Sequence, residues 1–513
     1  MKLWHRIISI LLAFAMILPH PITAYAATTV TFDISKGSVN ITASSYSGYN
    51  SHGTRLRGNS YGKVFTITGT TTTNTVTVAG TQNITLSNCI INVSATGGSY
   101  TDPGDAAFCI VEGNNGNVNV TLVGENTLQS GSYRAGLEKS GDASAGTLTI
   151  SGTGSLTAST RAGSAGIGGG EYGDGSNITI SGGTVTTTGY YGAGIGGGYK
   201  GSGSNITING GTVIAISSHG AGIGGGFDGS GGTDITINGV TITARSSQGA
   251  GIGGGPGGIG SNITISDSTV TTTGGSSGAG IGGGDSDGGS CSNITIINSR
   301  VIATGGSWGA GIGGGDSDSG LNITISGSTV TAKGGKEGAG IGGGSEAACS
   351  GVTITGGSVK AVAGRDASVI GGGWRGGGAV TPTNGTNNVY CLPVPNPNST
   401  GVTIDGVSYT PVNHKAVDSS DTNLYAYVTS GTHVVTASST TQTYTHVLDM
   451  SAWYTSPTAS TIEYGQQLSS SLIQSTVISE AGSTVSGTWA WESPTTKPSS
   501  VGTHTYNVIF TEG

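Results

Sequence analysis

Isoleucine and valine alternate with threonine and serine in short runs along this chain. In Asn177-Ile178-Thr179-Ile180 the two isoleucines fall on one side and the threonine on the other, and Thr184-Val185-Thr186 resumes the alternation after a turn. A period of two predicts half-buried β-strands with Ile178, Ile180 and Val185 facing inward. The same unit recurs from Asn205 to Val213, Asn262 to Thr271 and Asn322 to Thr331. Between its copies stands a second motif, GAGIGGG, repeated without change at 192–198, 220–226, 249–255, 278–284, 309–315 and 338–344. Taking its isoleucine as marker, Ile167, Ile195, Ile223, Ile252, Ile281, Ile312, Ile341 and Ile370 lie 28, 28, 29, 29, 31, 29 and 29 residues apart.

One such repeat cannot bury its own isoleucines, but stacked repeats bury a continuous column. The pattern therefore predicts an all-β chain whose main body is a parallel β-helix, each repeat forming one coil of three short strands. The preference of parallel crossovers makes it right-handed. Upstream, Val64-Phe65-Thr66-Ile67, Val76-Thr77-Val78, Asn83-Ile84-Thr85-Leu86, Val118 to Leu122 and Thr147 to Ile150 keep the alternation with looser spacing and read as earlier coils. The expected total is about a dozen coils over 63–380, with 27–62 as an N-terminal cap. Pro382, Pro393, Pro395 and Pro397 then break the repeat, and 381–450 reads as a linker with a small β segment. Residues 451–513, with Trp453, Trp489 and Trp491, read as a further small β-sandwich, and the ending at Glu512-Gly513 suggests a truncated chain.

Composition sharpens this. There are 99 glycines in 513 residues, and 9% of residues are charged. The net charge of −8 leaves no basic footprint for nucleic acid or anionic lipid, so both are rejected as partners. Lys2, His5 and Arg6 precede an apolar run from Ile7 to Pro19 and then Ala24-Tyr25-Ala26, which is the layout of a secretory signal peptide on 1–26. The mature chain is expected to be extracellular, with no membrane insertion, at the cell surface if an anchor follows residue 513.

Five cysteines in an exported chain raise the question of disulfides. Cys291 and Cys349 share one column two coils apart, about 9.6 Å, which exceeds a disulfide's Cα reach of about 7 Å, so that pair is expected to be unbridged. Cys89 and Cys109, about one coil apart, are left open as a pair.

The repeat register also creates outer columns. One and three places after GIGGG stand Asp285 with Asp287, and one coil later Asp316 with Asp318. Four stacked carboxylates would suit calcium, against the plainer reading of a solvated acidic turn. Tyr199 and Phe227, with Trp374 further along, occupy the first of these columns, while Tyr191, His219 and Trp308 precede GAGIGGG in three coils. Aromatic rings on a rigid wall are a candidate platform for sugar rings, against isolated surface aromatics. A polysaccharide lyase or hydrolase needs a positioned base beside its acidic cluster, and Arg300 precedes a predicted strand rather than sharing that turn, so catalysis is not expected. Threonine ladders for ice or a surface lattice start at Thr184, Thr269 and Thr329 but are broken at Val213-Ile214-Ala215 and Val301-Ile302-Ala303.

The alternation of GAGIGGG with NITISGGTV, over roughly residues 80 to 380, resembles the extracellular glycine-rich β-helix proteins of Gram-positive gut and soil bacteria. This resemblance implies a surface protein whose ligand is a glycan. Ser456-Pro457-Thr458-Ala459, Tyr464-Gly465-Gln466, Gly487 to Trp491 and Tyr506 to Thr511 resemble a bacterial Ig-like surface repeat. Adhesion through the outer face of the solenoid is the expected role, with a structural stalk as the alternative.

Overall fold

The computed structural model describes residues 27–395 apart from 100, 287, 288 and 386, and beyond them 402–409, 423–429, 431–437, 440–446, 457–475, 477–478, 484–485 and 487–512. The signal peptide on 1–26 lies outside the described residues. Among those described, no helix is long and apolar enough to cross a membrane.

The body is a parallel β-solenoid of about eleven turns. One coil shows the plan: Ile259–Ser266, then Thr269–Thr273, then the two-residue strand Ile281–Gly282. Each strand pairs in parallel with its counterpart one coil later, as Ile263 with Ile294, Val270 with Val301 and Ile281 with Ile312. The first two strands of all coils merge into one 21-stranded sheet, and the short third strands form a 14-stranded sheet opposite. Ile263, Ile265, Val270, Ala279 and Ile281 are fully buried between them. At roughly 25 cal/mol per Å² of apolar surface, this unbroken column is the main force holding the stack.

The marker column reaches further upstream than its motif does. Val39 pairs with Val76, Val76 with Phe108, Phe108 with Leu137, and Leu137 with Ile167. Thr28–Asp33 likewise pairs with the strand that begins at Lys63. Coiling thus starts at Thr28, inside the stretch expected to be a separate cap. The capping is done by a hairpin inserted within the first coil, Tyr46–Tyr49 against Arg55–Gly58, which continues the third-strand sheet antiparallel past Val39–Ile41. Tyr46 also closes over Phe32 and Phe65, whose rings stack 6.0 Å apart in the first coils.

Two residue types shape the corners. The asparagine that opens each isoleucine strand is left-handed, at φ 54 for Asn262 and 59 for Asn293, a conformation asparagine tolerates better than most residues. Its amide then bonds the coil before: Asn293 Nδ2 donates to Asn262 Oδ1 at 2.9 Å, and Asn322 Nδ2 to Asn293 Oδ1 at 3.3 Å. Asp234 accepts from Asn262 at 3.0 Å but has no N–H to pass on, so the relay restarts there. In the third strand Gly224 sits at φ +131, and a Cβ on it would overlap the Gly253 carbonyl oxygen. The glycine wall is therefore a packing requirement.

At the far end Thr383–Asn384 pairs parallel to Thr353 and folds back on Asn387–Asn388. Tyr390–Pro395 pairs with Asn423–Val428, and the Tyr425 N–H donates to Ser358 Oγ at 2.9 Å, closing the last coil. In the terminal segment the described strands form antiparallel pairs, among them Gly487–Trp491 with Val508–Glu512.

All five cysteines are free thiols. Cys89 is buried on the large sheet, where it pairs with Gly69, whereas Cys109 pairs with Thr77 and Glu138 on the opposite sheet. The pairing left open between them is thus not made. Cys291 and Cys349 share a column with Gly320 between them, two coils apart, as the register required.

Candidate functional site: an outer face with an aromatic and an acidic half

Two turns that sequence reasoning treated as separate columns meet in space. The residue after GIGGG donates its backbone N–H to the residue that precedes GAGIGGG one coil earlier: Tyr199 to Gly163 at 3.0 Å, Phe227 to Tyr191 at 2.9 Å, Asp316 to Ser277 at 2.7 Å, Ser345 to Trp308 at 2.8 Å and Trp374 to Glu337 at 2.8 Å. Pro256 has no N–H to offer to the turn of His219. These bonds fuse the two columns into one face running along the solenoid axis.

The first half of that face is aromatic. The Tyr191 ring centroid lies 4.4 Å from His219, 5.7 Å from Tyr199 and 5.9 Å from Phe227. Tyr190, absent from the expected set, stands 5.0 Å from both Tyr191 and His219. Tyr172, also missed, is 50% exposed and lies 5.6 Å from Tyr199. The signal for Tyr190 was the doubled Tyr190-Tyr191 before the motif. Tyr172 was hidden because it sits two places after GIGGG, where its left-handed backbone (φ 61) displaces it from the simple column count. Lys200 Nζ caps the Tyr199 ring at 5.3 Å. The turn beneath is rigid: Ser217 Oγ donates to Gly192 O at 2.7 Å, and the His219 N–H donates to Tyr190 O at 2.9 Å.

Trp308 does not join this platform. It is 40% exposed but lies three coils beyond His219, roughly 14 Å along the axis. It belongs to the second, acidic half with Asp285, Asp316, Glu337 and Glu346. There burial, then the charges of Asp285, Glu346 and Glu337, push the Asp316 carboxyl up to about 6. Ser345 Oγ donates to Glu337 at 3.2 Å. The Arg375 guanidinium lies 4.0 Å over the Trp374 ring and 3.9 Å from Glu346.

The expected quartet of outward carboxylates is corrected. Asp285 and Asp316 lie on the outer face, but Asp318 is turned inward and fully buried, its Oδ1 accepting from the Ser286 hydroxyl, from Ser286 N at 3.2 Å and from Gly289 N at 3.1 Å. Burial raises its carboxyl above the usual range. The register count missed this because a coil closing on itself turns the third residue after the motif back under the loop. Asp287 lies outside the described residues. Among the described residues no group of three or more His, Cys, Asp or Glu side chains is arranged to hold a metal ion.

The threonine ladders are also redistributed. On the second strand the column through Thr186 breaks at Ile214 and Ile302, as expected, and the column through Thr184 breaks at Arg300, which sits between Thr269 and Thr329. On the first strand, however, Thr149, Thr179, Thr207, Thr236, Thr264, Thr295, Thr324, Thr353 and Thr383 stack without interruption.

Seven stretches of the chain, 148–171, 178–199, 206–227, 235–256, 263–285, 294–316 and 323–345, match a family model described as a beta helix repeat. The second to sixth stretches end on Tyr199, Phe227, Pro256, Asp285 and Asp316, so the repeat delivers one residue per coil to the outer face. No curated protein matches the chain, and no solved structure does.

Proposed function

We propose that this β-helix repeat protein is an extracellular binding protein that holds a glycan on the aromatic half of its outer face. The observation that carries this reading is the cluster of Tyr172, Tyr190, Tyr191, Tyr199, His219 and Phe227, contributed by three consecutive coils with neighbouring centroids 4.4–6.3 Å apart. Six rings gathered at the surface form an apolar platform with hydroxyl tips, which suits the flat apolar face and polar rim of a sugar ring. The solenoid supplies rigidity, so little ordering cost falls on binding. The adjoining Asp285–Asp316 pair is the place for a calcium effect, and the terminal segment serves as an Ig-like spacer.

Retention on immobilised plant, microbial and host glycans, run with calcium and with chelator, tests the proposal. Tyr191→Ala is expected to weaken the best ligand by about tenfold, at roughly 1.4 kcal/mol per factor of ten, while Trp308→Ala leaves it unchanged. Neither change should move the melting temperature, because both rings lie outside the stacked strands. Failure of every glycan to bind would favour a structural stalk, and equal binding by Tyr191→Ala would place the glycan off the aromatic half.

A further inference from the structure

The platform does not end at Tyr190. A pocket of about 410 Å³ opens in the coils before it, lined by Ser94, Ala95, Gln129, Ser130, Ser159, Thr160 and Arg161. Its volume is in the range of small-ligand sites. The pocket and the platform occupy the same corner of the solenoid in consecutive coils. Asn92, two residues before Ser94, pairs with Gln129, Gln129 with Ser159, Ser159 with Thr188, and Thr188 with Ile216, just before His219. The Thr160 N–H donates to Thr188 O at 3.3 Å, which sets Arg161 one coil from Tyr190. Arg161 is held in place across the pocket, its Nη1 donating to Ser94 O at 3.3 Å, which engages one of the five N–H donors of the guanidinium. Ser130 at the pocket floor is tied down by its hydroxyl, which donates to Ala135 O at 2.6 Å.

We infer that pocket and platform are one continuous groove, and that the ligand is a linear polysaccharide lying parallel to the solenoid axis, with stacked rings over Tyr190, Tyr191, Tyr199 and Phe227 and a further residue of the same chain hydrogen-bonded in the pocket by Arg161. The inference rests on the glycan reading above and adds the ligand's length and direction. Four coil intervals span about 19 Å, longer than one or two sugar rings. The chemistry changes along the groove in the order a chain would need. Hydroxyl and guanidinium groups fix one end, and sequence-tolerant stacking carries the rest. Short fragments would reach only one part.

The test is affinity against chain length, using di-, tetra- and hexasaccharides of whichever glycan the parent protein retains. Wild-type affinity should climb steeply from di- to hexasaccharide. Arg161→Ala should cost the hexasaccharide about tenfold, the worth of a lost charge-assisted hydrogen bond, and leave the disaccharide on the platform unaffected. Arg161→Lys should recover only part of the loss. Flat length dependence, or an Arg161→Ala variant that binds all lengths as the parent does, would overturn the continuous groove while leaving the platform reading intact. Absence of binding at every length in the parent would overturn the platform reading and this one together. Arg161 lies on the surface outside the stacked core, and an unchanged thermal transition confirms that the variant is folded.

Discussion

The first four coils and the glycine-rich coils that follow solve the same packing problem in opposite ways. Early coils are filled by large side chains: Phe32, Phe65, Phe108, Leu122 and Leu128 are fully buried, and the wall opposite carries real side chains such as Cys109 and Glu138. From Ile167 onward the wall is glycine, the filling is isoleucine and alanine, and backbone approaches backbone. The junction is visible where Glu138 pairs with Gly168. Glu138 is held by a two-pronged contact with Arg134, at 2.7 Å through Nε and 2.6 Å through Nη2, and next to it Lys139 is buried inside the solenoid with its Nζ donating to Ser176 O at 2.7 Å. A wall made of side chains can absorb chemical variety, whereas a glycine wall cannot. Variety in the later coils is accordingly kept off that wall, and the aromatic and acidic residues of the outer face stand in the turns.

The sharpest break in that comparison comes from adding a side chain to the glycine wall. Gly224→Val combines a positive-φ backbone with an overlap against the next coil's carbonyl and is expected to cost on the order of 4 kcal/mol or more, seen as a large drop in the thermal transition or loss of soluble protein. Phe108→Ala, in the side-chain-filled half, should cost about 3–5 kcal/mol through its cavity, yet leave a folded chain by circular dichroism. The junction should respond to pH. Burial lowers the Lys139 ammonium from its ordinary range to about 8, so the charged form is disfavoured in the folded state. Stability should therefore rise as pH increases from about 8 towards the unfolded value near 10.4 and level off on either side of that window, where folded and unfolded chains carry the same charge on this group. In Lys139→Met that slope should vanish from melting curves taken across this window. The smallest effect is expected at the corners, where Asn293→Ala removes two amide links, to Asn262 and from Asn322, and should cost about 1–2 kcal/mol in denaturant titration.

Much of the solenoid could be read from the chain because its coils obey one short rule many times. Eight isoleucines at nearly equal spacing specify the register that the pairing of Ile167 through Ile370 displays. The earlier rungs were harder to see for two reasons. Val39, Val76, Phe108 and Leu137 replace the isoleucine, and the Tyr46–Gly58 hairpin lengthens the first interval to 37 residues, so identity and period fail together. Of the candidate site, Tyr191, Tyr199, His219 and Phe227 were legible because each stands at a fixed offset from GAGIGGG. Tyr190 was signalled only by the doubled Tyr190-Tyr191, and Tyr172 and Arg161 were not legible, since their neighbourhood depends on how a turn closes rather than on an offset.

By itself the sequence determined the repeat, its strand phase and which residues face the core, because period-two alternation and an apolar column are local rules that each coil states again. Tertiary structure alone decided that two turn columns fuse into one face, that Trp308 stands apart from the rings its offset groups it with, that Asp318 turns under its loop, and that a pocket lies in the coils before the platform. Those outcomes depend on backbone hydrogen bonds between turns of successive coils and on left-handed residues that redirect the chain, and no spacing along one strand of sequence encodes where such a turn will point.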